Sequence, residues 1–180
     1  MENLLVRGEI EIDDIEQVYS GLYLEAFTSF EGLLEDLFFG IVLGDLISSL
    51  ADVVLRVSVT PPLVTKDILL IGKQYHEWLP YKEQTLERAK VFLQDGFPFN
   101  RLDDGNKSSL KRFHRIRNAI AHKSDFSKKK FESEVIGSLA LTPREKTPPG
   151  FLRSIFRRPA QTQYEVAIEE LKSIALKLCE

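Results

Sequence analysis

The sequence predicts an all-α fold, a helical bundle, from three observations. Apolar residues recur at three- and four-residue spacing in long stretches near both ends of the chain, turn-forming residues divide what lies between into short helical segments, and strand patterning is almost absent. The first long helix starts with Asp13 or Asp14 as its N-cap. It carries Tyr19, Leu22, Tyr23, Ala26, Phe30, Leu33, Leu34, Leu37, Phe38 and Ile41 along one face and loosens at Gly40 and Gly44. A second helix is expected through Leu50, Val53, Val54 and Leu55, before the β-branched run Val57-Ser58-Val59-Thr60 and the stop at Pro61-Pro62. Asp67-Ile68-Leu69-Leu70-Ile71 fits a short helix or a strand, and Trp78-Leu79-Pro80 marks a break before a helix over 81–94. Gly96, Pro98, Asp103, Asp104 and Gly105 form a loop that leads to a helix over about 108–122, capped by Asn106 or Ser108. A short helix over 125–138 follows. Thr142-Pro143 and Thr147-Pro148-Pro149-Gly150 are then expected to be loops, and the chain closes on a helix bearing Tyr164, Ala167, Ile168, Leu171, Ile174, Ala175 and Leu178.

With 180 residues, the chain is expected to be one domain over 1–180 with a core from about 14 to 178, large enough to fold without disulfide or metal staples. Hydrophobic residues at 43% and charged residues at 28% are ordinary globular values, and no run approaches the roughly 18–20 apolar residues of a membrane span. The start of the chain lacks the pattern of an export signal, so no membrane role and a cytoplasmic location are expected. Cys179 stands alone, which excludes an intrachain disulfide and a multi-cysteine zinc site. With only His76, His114 and His122 besides, no metal and no cofactor is expected.

The net charge of −3 conceals an asymmetry. Residues 1–60 carry two basic and twelve acidic side chains, residues 61–130 carry fifteen basic and eight acidic, and Lys107 to Lys130 holds nine basic residues against Asp125. Two readings follow: a cationic surface for a polyanion, or mutual neutralisation of the two segments in the folded chain.

The densest cluster of chemical groups is Arg115-Ile116-Arg117-Asn118-Ala119-Ile120-Ala121-His122-Lys123-Ser124. On a helical wheel Lys111, Arg115, Asn118 and His122 fall within roughly 40° of one line, a polar face. Phe113, Ile116 and Ile120 lie opposite, flanked by Leu110 and Ala121, and Arg117 falls among them about 140° from His122. Arg117 is then either a buried partner of Glu31 or Glu35 or a group at the rim of a contact with another copy. His122 sits where a helix C-terminus favours an imidazolium, His114 is a candidate second proton carrier, and His76 reads as a packing residue. Lys128-Lys129-Lys130 is either a phosphate contact or a solvated cluster. No serine has the ordered partners of a hydrolase triad, and no Gly-rich phosphate loop is present.

Arg117-Asn118-Ala119-Ile120-Ala121-His122 resembles the Arg-x4-His signature of the HEPN superfamily, in which a polar residue, often Asn, follows the Arg. Its setting is similar to the branch labelled RiboL-PSP-HEPN: Phe30-Glu31 in a long first helix, Trp78-Leu79-Pro80, Phe97-Pro98-Phe99, and Thr162 and Tyr164 at the closing helix. The resemblance implies a helical bundle that pairs with a second copy so that two motifs face one cleft. It also implies a metal-independent endoribonuclease of the kind found in toxin–antitoxin, phage-defence and stress-response systems. The implied partners are RNA, a homodimeric mate, and an antitoxin or other regulatory protein. By position, Arg117 would stabilise the phosphate, Asn118 would orient it or its partner, and His122 would be general acid or base, with Lys111, His114, Arg115 and Lys123 contacting RNA. A non-catalytic HEPN module that binds RNA or protein is the alternative. In a subgroup paired with a nucleotidyltransferase antitoxin, a Tyr stands two residues past the His and becomes modified; here that position is Ser124.

Overall fold

The computed structural model describes residues 2–46, 52–57, 76–157 and 161–180. The fold is all-α, with seven helical segments among the described residues and one small two-stranded ribbon. Helix α1 spans Glu2–Val6 and α2 Ile12–Val42; α3 begins as a π-helix at Tyr81–Leu86 and continues as α-helix through Glu87–Phe92. Helix α4 is Asp104–Ala121, α5 is Asp125–Phe131 with a π-helical extension Glu132–Ile136, α6 is Pro148–Arg153 and α7 is Gln163–Cys179. Strands β1 (Ile155–Arg157) and β2 (Gln161–Thr162) pair antiparallel, Ile155 opposite Thr162.

The long amphipathic helices form where the apolar periodicity places them, but several starts differ from the sequence expectation. Asp13 and Asp14 lie inside the first turn of α2 instead of capping it: the Asp14 carboxylate accepts the Glu11 N–H at 2.9 Å, and both charges sit where the helix dipole favours them. Helix α4 begins before 108, because Asp103 takes the capping role expected of Asn106 or Ser108. Its Oδ1 accepts the Asn106 N–H at 2.7 Å, which holds the carboxyl below the usual carboxylate range. Thr147-Pro148-Pro149-Gly150 is not a loop but the start of α6. The Thr147 hydroxyl accepts from the Gly150 N–H at 3.2 Å, and proline occupies the first helical turn, where its missing N–H costs nothing. Gly150 is required there, since a Cβ would stand 2.1 Å from the Arg144 carbonyl oxygen. Thr162 and Glu165 form a reciprocal capping box at the start of α7.

The expected helix through Leu50–Leu55 is not found in its described part. Val53 and Val54 lie outside any helix, Leu55 bridges to Leu93, and Gln94 N–H donates to the Val54 carbonyl at 2.9 Å. The β-branched run is described only at Val57, which is a bend; 58–60 and the ambiguous stretch at 67–71 lie outside the described residues.

Two compact units divide the chain: Met1–Ser29 with Arg112–Lys172, and Phe30–Lys111 with Ser173–Glu180. In the second, Phe38 centres an aromatic cluster with Trp78, Phe92 and Phe99, ring centroids 5.2–6.0 Å away. Three of its polar side chains are matched: Trp78 Nε1 donates to Glu35 at 3.0 Å, Tyr81 to the Phe99 carbonyl at 2.8 Å, and Thr85 to the Trp78 carbonyl. His76 meets Trp78 edge to face at 5.0 Å, as a packing residue. In the first unit, the core gathers Ile15, Tyr23 and Phe27 of α2, Phe113 and Ile116 of α4, Phe131 of α5, Phe151 and Leu152 of α6 and Ala167 and Leu171 of α7. Each of the Ile, Leu and Phe side chains contributes about 1.5–3 kcal/mol relative to exposure. The Tyr23 hydroxyl donates to the Phe113 carbonyl at 2.9 Å, fixing α4 against α2 in the turn that precedes the motif. No described helix is long and apolar enough to cross a membrane.

Candidate functional site

The Arg-x4-His segment occupies the last turns of α4, within the first unit. In this unit Phe113, Ile116 and Ala119 of α4 are buried, so the turn that carries Arg117 and Asn118 is anchored on the core side. Ile120 is only partly buried and Ala121 is exposed, because the helix lifts away from the core as it ends. His122 is exposed just past the helix terminus, its N–H still bonded to the Asn118 carbonyl at 2.8 Å.

The three motif side chains meet. Arg117 Nη1 lies 3.0 Å from Asn118 Oδ1 and 3.3 Å from His122 Nε2. Asn118 Nδ2 is 3.0 Å from His114 Nε2, and the His114 ring stacks on Phe27 with centroids 6.3 Å apart. A guanidinium only donates. Its contact with His122 therefore uses the Nε2 lone pair, and its contact with Asn118 fixes the amide with oxygen toward Arg117 and nitrogen toward His114. The chain His122, Arg117, Asn118, His114 is thus one directional network, with a solvent-facing imidazole at one end and a partly buried one at the other.

The wheel placed Arg117 far from His122, yet the two touch. The angular estimate holds for Cβ positions inside a helix; a long arginine side chain beside a helix end reaches across that angle.

The two imidazoles differ in environment. Burial, reinforced by the positive charges of Arg115 and Arg117 and by His122, pulls the His114 pKa from 6.5 down to about 4. At neutral pH His114 is therefore an uncharged acceptor for Asn118. As a second proton carrier it therefore has no imidazolium proton to give at that pH. Of the other sequence-selected residues, Arg115 donates through Nε to Glu134 at 3.0 Å, and Lys123 is exposed. Lys111 is exposed in the other unit.

Lys123 and Lys128 also line a groove of 720 Å³ with Ala119, Ile120, Pro148 and Pro149 on its apolar side and Asp13, Glu16, Gln17 and Ser20 on α2. Glu16 and Asp13 are bound to Arg144, and Glu2 holds Arg153 through two contacts of 2.9 and 3.0 Å. Within this unit, then, these N-terminal acids neutralise arginines of the 142–153 region and not the lysines of the 123–130 stretch. Among the described residues, no three His, Cys, Asp or Glu side chains are grouped to hold a metal ion.

Sequence reasoning missed Phe126, which is 68% exposed on α5. A signal was present: it lies about 140° on a helical wheel from Phe131, a residue that α5 buries, so the two rings cannot share one face.

Comparison of the chain with known protein families, curated proteins and solved structures finds no match.

Proposed function

We propose that the protein is an endoribonuclease of the HEPN type, a metal-independent enzyme that cleaves single-stranded or looped RNA at a cleft formed by two copies of the chain. The observation that carries this reading is the bridge made by Arg117 Nη1 between Asn118 Oδ1 and His122 Nε2, with His122 exposed to solvent. The resemblance rests on the motif and its sequence setting; the meeting of the three side chains supports it independently, because residues that match a motif in type alone need not converge.

In the proposed reaction the ribose 2′-oxygen bonds to phosphorus while the bond from phosphorus to the leaving 5′-oxygen breaks. The 2′-hydroxyl proton passes to a base and an acid protonates the 5′-oxygen, giving a 2′,3′-cyclic phosphate and a free 5′-hydroxyl. His122, with a lone pair at Nε2, is suited to the base step. The Arg117 guanidinium supplies positive charge for the phosphorane, and Asn118 keeps that guanidinium beside His122. The acid is His122 of a second copy, since His114 is uncharged at neutral pH. A flexible strand is preferred because in-line attack demands a backbone free to rotate. A cytoplasmic defence or stress system, held in check by an antitoxin or other regulatory protein, is the setting proposed for such an activity.

The test is incubation of purified protein with mixed single-stranded RNA in chelator, with fragments analysed for cyclic phosphate ends. Wild type should cleave, and His122→Ala and Arg117→Ala should each lose at least about a hundredfold in rate, the scale of a lost acid–base group. Equal cleavage by wild type and His122→Ala overturns the reading. Binding without fragments replaces it with a non-catalytic RNA-binding module.

A further inference from the structure

We propose that α5 is a single-strand binding platform, on which the exposed Phe126 ring stacks an RNA base while Lys123, Lys128 and Lys129 hold neighbouring phosphates. This inference rests on the RNA reading of the Arg117 and His122 site but not on catalysis there.

Four observations converge. Phe126 is 68% exposed, although a phenylalanine left in water forfeits the burial that Phe131, 1% exposed on the same helix, obtains. Lys130 Nζ stands over the Phe126 ring, 5.9 Å from its centroid, and is held from the other side by Glu134 Oε1 at 3.0 Å. The ring is thereby braced against its own helix, so a base that stacks on it meets an ordered surface. Lys123, Lys128 and Lys129 make no ion pair among the described residues, whereas Lys130 and Arg115 share Glu134. Finally, Ser124 caps α5, accepting the Ser127 N–H at 3.2 Å, which starts the helix three residues beyond His122. A strand engaged at His122 therefore runs directly onto the platform.

An exposed aromatic amid uncommitted lysines is complementary to single-stranded nucleic acid, where every base offers a π-face and every linkage a negative charge. The acids nearest in sequence are Asp125 and Glu132; with Lys123, Lys128, Lys129 and Lys130 the segment stays positive. A protein partner would more often be met by an apolar ring with few charges at its centre. A duplex, whose bases are already stacked on each other, cannot use Phe126.

Binding is measured by fluorescence anisotropy with a labelled 2′-O-methyl RNA of about twelve nucleotides, long enough for a site of this kind and uncleavable by 2′-oxygen attack. Phe126→Ala is expected to weaken binding about tenfold, with the same far-UV spectrum and thermal midpoint as wild type. Phe126→Trp should retain affinity and show indole quenching on binding. Lys128→Ala and Lys129→Ala should each lower the slope of log K against log salt by about 0.7. Equal affinity of Phe126→Ala and wild type overturns the proposal, as does equal binding of duplex and single strand. Vesicle binding by wild type to phosphatidylserine that Phe126→Ala loses, with oligonucleotide affinity unchanged, would overturn the proposal and reassign the patch to a membrane surface. The two readings fail separately. Weak binding by Phe126→Ala, with cleavage unaffected by His122→Ala, sinks the catalytic site alone; full binding by Phe126→Ala, with cleavage abolished by His122→Ala, sinks the platform alone.

Discussion

Replacing His114 by phenylalanine should flatten the pH dependence of stability between about pH 6.5 and 4, the window set by the two pKa values of this imidazole. In the unfolded chain His114 takes up a proton as pH falls through 6.5, while in the folded chain burial and the nearby Arg115 and Arg117 delay that to about 4. Between these values the unfolded state binds more protons, so stability is full above 6.5 and is lost progressively as pH falls toward 4. The difference corresponds to about 3 kcal/mol at 1.36 kcal/mol per unit, and partial solvent exposure reduces this to about 1.5 kcal/mol. Phenylalanine keeps the stack on Phe27 but cannot titrate. Urea unfolding followed by circular dichroism at several pH values gives the two curves. The remaining histidines and the carboxylates titrate in both proteins, so the difference between the curves belongs to His114. Its ring protons, followed by NMR, should shift with a midpoint near 4. Parallel stability curves, or a midpoint above about 6, would refute the placement of this ring as a neutral, partly buried acceptor.

Three further outcomes follow from the same unit. Tyr23→Phe removes the buried hydroxyl that donates to the Phe113 carbonyl at 2.9 Å and should cost about 1 kcal/mol, read as a fall of about 2–4 °C in Tm. Gly150→Ala forces a Cβ against the Arg144 carbonyl and should cost at least about 2 kcal/mol in urea unfolding; no loss would contradict the close approach of the two backbones. Asn118→Ala frees the Arg117 guanidinium from its acceptor and should lower kcat on single-stranded RNA about tenfold with little change in KM, which single-turnover kinetics would separate.

Much of the architecture was legible because α2, α4 and α7 bury continuous stripes, and a 3.6-residue period survives wherever one face of a long helix meets a core. Helix starts were less legible. Asp103 took the cap expected of Asn106 or Ser108 because capping depends on which backbone N–H a side chain can reach, and Thr147-Pro148-Pro149 reads as a breaker until the prolines are placed in the first turn. Val53–Leu55 paired with Leu93 and Gln94, a partner that local periodicity cannot announce. At the site, the residue types were readable from the Arg-x4-His spacing, whereas the meeting of Arg117 with His122 was not. That contact depends on side-chain length and on the helix ending at Ala121, both invisible to a wheel. The contrast between a solvent-facing His122 and a neutral His114 was also hidden, since burial of His114 comes from Phe27 on a distant stretch of chain.

That contrast bears on how many chains the proposed reaction needs. Cleavage by the 2′-oxygen moves one proton off and one proton on, so two titrating groups must work at once. The first unit offers His122 and, four positions before Asn118, a His114 that is uncharged down to about pH 4 and so supplies no imidazolium acid near neutral pH. In the proposed reaction the imidazolium acid is therefore assigned to His122 of a second copy across a two-fold axis. Mixing wild type with His122→Ala, under conditions where subunits exchange, distinguishes this from a self-sufficient chain. If both imidazoles of a pair are needed, an equal mixture retains only the wild-type homodimers, about a quarter of the full activity, and activity follows the square of the wild-type fraction. If each chain works alone, about half remains and the dependence is linear. A linear titration would require a proton carrier other than the imidazoles named here, and would remove the physical reason for placing the site between two copies.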